Sequence, residues 1–323
     1  MQNTIHDLVL EATGANDAFQ LETIQSLWSG YGYILRYGLS GCDSASVIVK
    51  HVKLSAQSLQ TPGSNEDLSH RRKVRSYRIE TAWYQSWARH CDADCRVPAC
   101  LAFEMFGEDI VLVLEDLHPA GFPQRRSRAG EREIRTCLHW LANFHATFIG
   151  EKPTGLWPTG TYWHLQTRPN ELDALQDIAL KNAALAIDQK LRDTPYQTFV
   201  HGDAKLANFC FSADGSRVAA VDFQYVGGGC GIKDVAYFID SCLGQDECQH
   251  RESELLDIYF QALQQALRRK QKPVGADAVE QDWRALYPVA WTDFHRFLKG
   301  WSPGYWSPNS YSERLARQVI AQL

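Results

Sequence analysis

Long apolar runs are missing from this chain: nowhere in its 323 residues do ~18 apolar residues follow one another, so no segment reads as a membrane-spanning helix. Residues 1–7 have neither the basic start nor the apolar stretch of a signal peptide. The expectation is a cytoplasmic protein without membrane insertion. Internal repeats and low-complexity tracts are absent too, which sets aside solenoids and disordered linkers. An excess of one charge is also lacking. Against 38 Asp and Glu stand 33 Lys and Arg, a net charge of −5, and the bases are interspersed with acids, so no nucleic-acid surface is expected. One basic cluster, His70-Arg71-Arg72-Lys73 with Arg75, falls just before an amphipathic pattern and reads as a solvated face or linker. Cysteine is present, but the nine are odd in number and irregularly spaced, which suits buried thiols rather than a disulfide framework. Cys91, Cys95 and Cys100 lack a fourth ligand at regular spacing and are a weak zinc signal. No G-x-S-x-G elbow occurs, which counts against a Ser-His-Asp hydrolase.

What is present is a contiguous polar motif. His201-Gly202-Asp203 is followed by Lys205 and Asn208 after the apolar residues 198–200. Asp222 follows a second short apolar run, residues 217–221, beyond the Asp214-Gly215 turn signal. A hairpin of this kind returns Asp222 towards Asn208, so that two hard oxygen ligands can share Mg²⁺. Asp203 is left free to orient or deprotonate an attacking hydroxyl, and phosphoryl transfer asks mainly for such positioning and charge neutralisation. Taken singly, an Asp and an Asn in a loop more often cap turns. Here both pieces occur in order, each after a strand-like run.

At these residues the chain resembles the aminoglycoside phosphotransferase and choline kinase superfamily, and within it the ecdysteroid-kinase-like branch. The resemblance runs from about Leu21 to Trp306. It implies an α+β, bilobal, protein-kinase-like fold. Residues 1–117 would form an N-terminal nucleotide-binding lobe, an antiparallel sheet with a packed helix. Residues 118–323 would form a mostly helical catalytic and acceptor-binding lobe. Asp203 is then the catalytic base, His201 braces its loop, Lys205 belongs to the same catalytic group, and Asn208 with Asp222 holds Mg²⁺. Eleven residues separate Asp222 from Asp234, too few for the activation segment with which a protein kinase docks its substrate. The expected acceptor is a small hydroxylated molecule.

Residues 24–28, 33–37 and 46–54 read as strands separated by glycine turns. Gly30 and Gly32 lie in the first turn, where glycine lets a backbone approach phosphates; an ordinary hairpin turn reads the same way. Lys50 interrupts the apolar Val47-Ile48-Val49 and needs a partner there. It resembles the strand lysine that grips the α- and β-phosphates, with Lys53 as competitor. Residues 76–88 read as a helix with Ile79, Trp83 and Trp87 on one face, and Glu80 beside them is placed to pair with Lys50. Residues 110–119 look like the hinge, where the backbone of Glu115 and Leu117 would meet adenine and Asp116 is structural.

Beyond the hinge the period becomes helical over residues 131–149, 171–191, around 235–242 and around 255–267. His145 reads as a satisfied core histidine, and Asp234 as an N-cap or a brace of the catalytic loop. Tyr287, Trp291, Phe294, Leu298 and Trp301 repeat at helical spacing, while Trp301, Tyr305 and Trp306 fall on a turn that either walls an acceptor pocket or only packs. The cofactors expected are ATP and Mg²⁺. GTP as donor, and a pseudokinase that holds nucleotide without catalysis, stay open.

Overall fold

The computed structural model describes residues 2–54, 65–304 and 306–323, the side chains of residues 2, 3, 29 and 65–67 excepted. Along the chain run α1 (Gln2–Thr13), β1 (Asp17–Ser26), β2 (Gly32–Ser40), β3 (Ser46–Val52), α2 (Asn65–Ala82), β4 (Cys100–Phe106), β5 (Asp109–Glu115), β6 (Gln124–Arg125), α3 (Glu131–Phe148), α4 (Pro169–Asp173) and α5 (Ile178–Arg192). There follow β7 (Thr198–Val200), β8 (Phe209–Phe211), β9 (Val218–Ala220), β10 (Gly227–Gly229), α6 (Ile232–Cys242), α7 (Gln245–Arg269), α8 (Ala276–Trp301) and α9 (Tyr311–Ile320). Among the described residues no helix is long and apolar enough to cross a membrane. The chain divides into two compact units.

The first unit takes residues up to 92 with 96–125 and 210–221. Its centre is an antiparallel sheet in the order β1-β2-β3-β5-β4. Ile5 and Val9 of α1 pack on Val47, Val49, Val111 and Val113 of the central strands, and each buried valine stabilises by roughly 1.5–3 kcal/mol. Since side chains alternate along a strand, Lys50 faces away from that core, towards the Glu80 of α2. A smaller sheet in the order β6-β8-β9 encloses Leu117, Phe122, Cys210 and Ala219.

Three local expectations change here. The first strand is β1, ending at Ser26, and Trp28–Gly30 is a single 3₁₀ turn. The basic cluster His70 to Arg75 lies inside α2, not before it. Arg and Lys are good helix formers, so a basic run extends a helix as readily as it precedes one. The same helix stops at Ala82 and passes through a π turn, Trp83–Trp87, where Trp83 and Tyr84 are both buried.

The second unit takes residues 93–95, 126–209 and 222–323. Its axis is α3, which buries Leu138, Trp140, Leu141, Phe144 and Phe148. Phe148 stacks on Phe199 of β7 with ring centroids 4.8 Å apart, so α3 backs the strand that leads into residues 201–208. The three glycines 227–229 form β10 and pair antiparallel with β7. The single helix expected over 171–191 is two, α4 and α5, because Asp177 caps a new start by accepting from the Leu180 amide at 3.1 Å.

Candidate active site

The chain leaves β7 at Val200 and turns through His201 and Gly202. Gly202 has φ +79°, and a Cβ there would lie 2.1 Å from the Tyr225 carbonyl oxygen, so only glycine fits. Asp234, in the first turn of α6, accepts the amides of His201 at 2.5 Å and Gly202 at 3.0 Å. It also accepts from His145 Nε2 at 3.2 Å, while His145 Nδ1 meets the Tyr259 hydroxyl at 2.8 Å. Gly231 is the N-cap of α6. Asp234 therefore braces the loop rather than capping the helix, and His145 is a satisfied core residue. His201 is fully buried, and its Nδ1 accepts the Asp203 amide at 3.2 Å. It shapes the loop from behind.

Asp203 is held on both oxygens. Oδ2 accepts from Lys205 Nζ at 3.0 Å and Asn208 Nδ2 at 2.9 Å, and Oδ1 from the Tyr237 hydroxyl at 3.1 Å. Burial raises the Asp203 carboxyl above its ordinary range, Lys205 pulls it back, and the charge of Asp222 pushes it up again. Asn208 Nδ2 also donates to the Asp203 carbonyl at 2.8 Å, which leaves the Asn208 side-chain oxygen pointing elsewhere. Asp222 sits at φ +69°, and its Oδ1 is buried without a hydrogen bond. A left-handed non-glycine residue costs of order 1–3 kcal/mol, and a buried acceptor left unpaired about as much again. Two such costs on one residue mark a site built for something else. Two hard oxygens from an Asn and an Asp match the few protein ligands Mg²⁺ takes when phosphates and water complete its shell. No group of three or more His, Cys, Asp or Glu side chains gathers into a metal site among the described residues.

In the first unit Lys50 Nζ lies 2.6 Å from Glu80 Oε2, with the Tyr77 ring 5.6 Å from the ammonium. Lys53 lies past the end of β3 and sits over the Tyr33 ring at 5.2 Å, so Lys50 is the buried cation. Gly30 has φ +75° and Gly32 φ +125°. A Cβ on Gly32 would fall 2.0 Å from the His51 carbonyl oxygen, so β2–β3 pairing by itself demands glycine there. The Glu115 carboxylate is taken by Arg96 and by the Ala99 amide at 3.0 Å. Asp116 accepts from Arg36 Nε at 2.6 Å, Ser46 Oγ at 2.7 Å and the His118 amide at 3.0 Å. Leu117 is core. The side chains at this corner are engaged within the first unit.

A row of rings leads away from Asp203 in the second unit. Tyr237 lies 5.7 Å from Tyr162, Tyr162 lies 5.2 Å from Phe297, and Phe297 stacks with Trp301 at 6.3 Å. Trp301 is 63% exposed, whereas Trp306 turns onto His295 at 5.0 Å. Tyr305 lies outside the described residues. Tyr162 and Tyr237 are absent from the sequence reading; Tyr237 falls inside the α6 pattern but off the stripe of Val235, Phe238 and Ile239 that betrays the helix.

Residues 160–272 match the ecdysteroid kinase-like family, a stretch holding Asp203, Asn208, Asp222, Asp234 and Tyr237. No curated protein matches the chain. Among solved structures, the microcompartment-associated aminopropanol kinase superposes with a TM-score of 0.53 at 16% identity, covering 99% of this chain and 98% of that one. An aminoglycoside phosphotransferase from Streptomyces rimosus, in complex with ADP and streptomycin, gives 0.46 at 16% identity over 90% and 98% of the two chains. An ethanolamine kinase from Plasmodium vivax gives 0.49 at 10% identity over 94% and 82%. The α+β kinase-like fold is borne out by the first of these superpositions, and the resemblance read from the catalytic-loop residues by the family match.

Proposed function

We propose that this chain is an ATP- and Mg²⁺-dependent kinase that transfers the γ-phosphoryl group to the hydroxyl of a small molecule. One observation carries the reading: Asp203 is fixed on both oxygens beside Asn208 and an Asp222 oxygen that is buried and unpaired. In the proposed step the acceptor oxygen forms the new bond to the γ-phosphorus, its proton passes to the Asp203 carboxylate, and the bond to the β–γ bridging oxygen breaks to release ADP. Lys205 offsets part of the charge at Asp203, and Asp234 keeps the loop amides in place. Mg²⁺, held by Asn208 and Asp222, would supply neutralisation of phosphate charge. Lys50, kept in one rotamer by Glu80, would meet phosphate oxygens, with residues 1–117 serving the nucleotide and residues 118–323 the acceptor. Gly30 and Gly32 and the backbone of Glu115 and Leu117 belong to the nucleotide side of the same proposal. An ATP-consumption screen with choline, sterols, aminoglycosides and hydroxylated lipids or aromatics tests it. Expected is acceptor-dependent ADP formation that Asp203→Asn abolishes with little change in ATP affinity; turnover undiminished in that variant would sink the assignment.

A further inference from the structure

Tyr237 belongs to no motif, yet it is tied to the carboxylate on which the proposed chemistry turns. A carboxylate offers about four lone-pair sites on its two oxygens. Both sites on Asp203 Oδ2 are filled, by Lys205 Nζ and Asn208 Nδ2. Oδ1 receives the Tyr237 hydroxyl and no other donor among the described residues. One acceptor site is left on the whole group, on Oδ1, and the tyrosine decides where it points.

The tyrosine is itself fixed. Its ring is buried against Trp163 at 5.0 Å and Phe294 at 4.7 Å. It stands on α6, the helix whose Asp234 holds the His201 and Gly202 amides and whose Ser241 Oγ accepts the Leu206 amide at 3.1 Å. One helix therefore grips the catalytic loop before, at and after Asp203. The Tyr162 ring packs edge-on against that of Tyr237 at 5.7 Å.

We infer that Tyr237 is a positioning residue for phosphoryl transfer, its hydroxyl turning Asp203 so that the one open lone pair of Oδ1 receives the acceptor proton. The inference rests on the reading of Asp203 as the base. During the step the acceptor O–H bond breaks, the proton joins Oδ1, and the acceptor oxygen bonds to phosphorus while ADP departs; Tyr237 keeps its own proton throughout. Without this tether the carboxylate is anchored through Oδ2 alone and Oδ1 is unheld, and a misplacement near 1 Å costs about 100-fold in rate.

The test compares wild type, Tyr237→Phe, Asp203→Asn and Tyr311→Phe, each with MgATP and the hydroxylated acceptors of the screen. Tyr237→Phe keeps the buried ring and should lower kcat roughly 10- to 100-fold with the KM for ATP and the thermal midpoint unchanged. Tyr311→Phe removes the hydroxyl of a buried tyrosine on α9 that donates to Glu252 and makes no bond to the loop, and should stay within about twofold of wild type. Wild-type kcat in Tyr237→Phe beside an inactive Asp203→Asn overturns this inference and leaves the kinase reading standing. An equal loss in Tyr311→Phe, or a rise in the KM for ATP that accounts for the Tyr237→Phe defect, overturns it as well. Turnover retained by Asp203→Asn, or none in the wild type with any acceptor, defeats the kinase reading first.

Discussion

Lys50 Nζ and Glu80 Oε2 lie 2.6 Å apart, and both side chains are about 95% buried or more. Removing one partner of such a pair strands the other charge, at a cost of about 3–5 kcal/mol, while replacing both with apolar groups is often neutral. Glu80→Leu, which strands the Lys50 ammonium, should therefore lower unfolding stability by that amount, and Glu80→Leu with Lys50→Met should recover most of it. Urea unfolding of the two variants decides. A single variant within 1 kcal/mol of wild type would mean that the pair is not desolvated in solution.

Asp222 combines a positive φ with an unpaired buried oxygen. Asn tolerates the left-handed region as Asp does, so Asp222→Asn should fold with an unchanged thermal midpoint. Its MgATP binding should lose dependence on Mg²⁺, because a neutral amide replaces the charged ligand. Calorimetric titration with ATP, with and without Mg²⁺, reads this directly. Asp222→Ala should share the binding defect and lose a further ~1 kcal/mol of stability from backbone strain. Binding that keeps its Mg²⁺ dependence in both variants removes Asp222 from the metal shell.

The candidate catalytic loop was legible because its polar residues are contiguous: Asp203, Lys205 and Asn208 are neighbours in sequence, and the strand-like runs around them locate the turn. Residues whose roles come from distant contacts were not. Tyr237 meets Asp203 across 34 positions, and nothing in a helix pattern distinguishes a tyrosine that packs from one that also donates. Periodicity located α3 well, since its buried stripe is strong. It failed for β1, where nearly every side chain is exposed and no alternation survives. The pattern of α1 was present in Ile5, Leu8, Val9 and Ala12, but a reading of the first residues for export signals alone passes over it.

Asp293 on α8 is a second buried charge centre, and no motif points to it. Its carboxylate meets Lys233 Nζ at 3.2 Å and Arg296 Nη2 at 3.0 Å, and it accepts from Trp163 Nε1 at 3.0 Å. Burial alone would push its carboxyl up, but Lys233 and Arg296 outweigh that and hold it down at about 2. A depressed carboxylate stabilises the fold above its unfolded value and loses that contribution as pH falls towards the folded one. Asp293→Asn takes from two buried cations the carboxylate that both meet and should cost about 3–5 kcal/mol at neutral pH. The gap from wild type should narrow as the pH is lowered from 4 towards 2. Urea midpoints across that range test it, and a gap that stays constant would contradict the assignment of the charge to Asp293.

Asp240 presents the opposite case. It stands on α6 three residues beyond Tyr237, is only partly exposed, and has no hydrogen-bond or ion-pair partner among the described residues. Burial pushes its carboxyl from an ordinary 3.8 up to about 6. Between those values the folded state binds the proton more tightly than the unfolded chain does. Stability accordingly falls as pH rises through the window, and the full penalty is present above pH 6. A shift of about two units corresponds to roughly 2–3 kcal/mol. Asp240→Asn abolishes the titration, so at pH 7–8 the variant should be more stable than wild type by up to that amount, and near pH 4 the two should coincide. Thermal midpoints of both proteins measured from pH 4 to 8 check the sign as well as the size. A variant less stable than wild type at pH 8 would show that the ionised carboxylate has a favourable partner in solution, and the burial argument for Asp240 would fall.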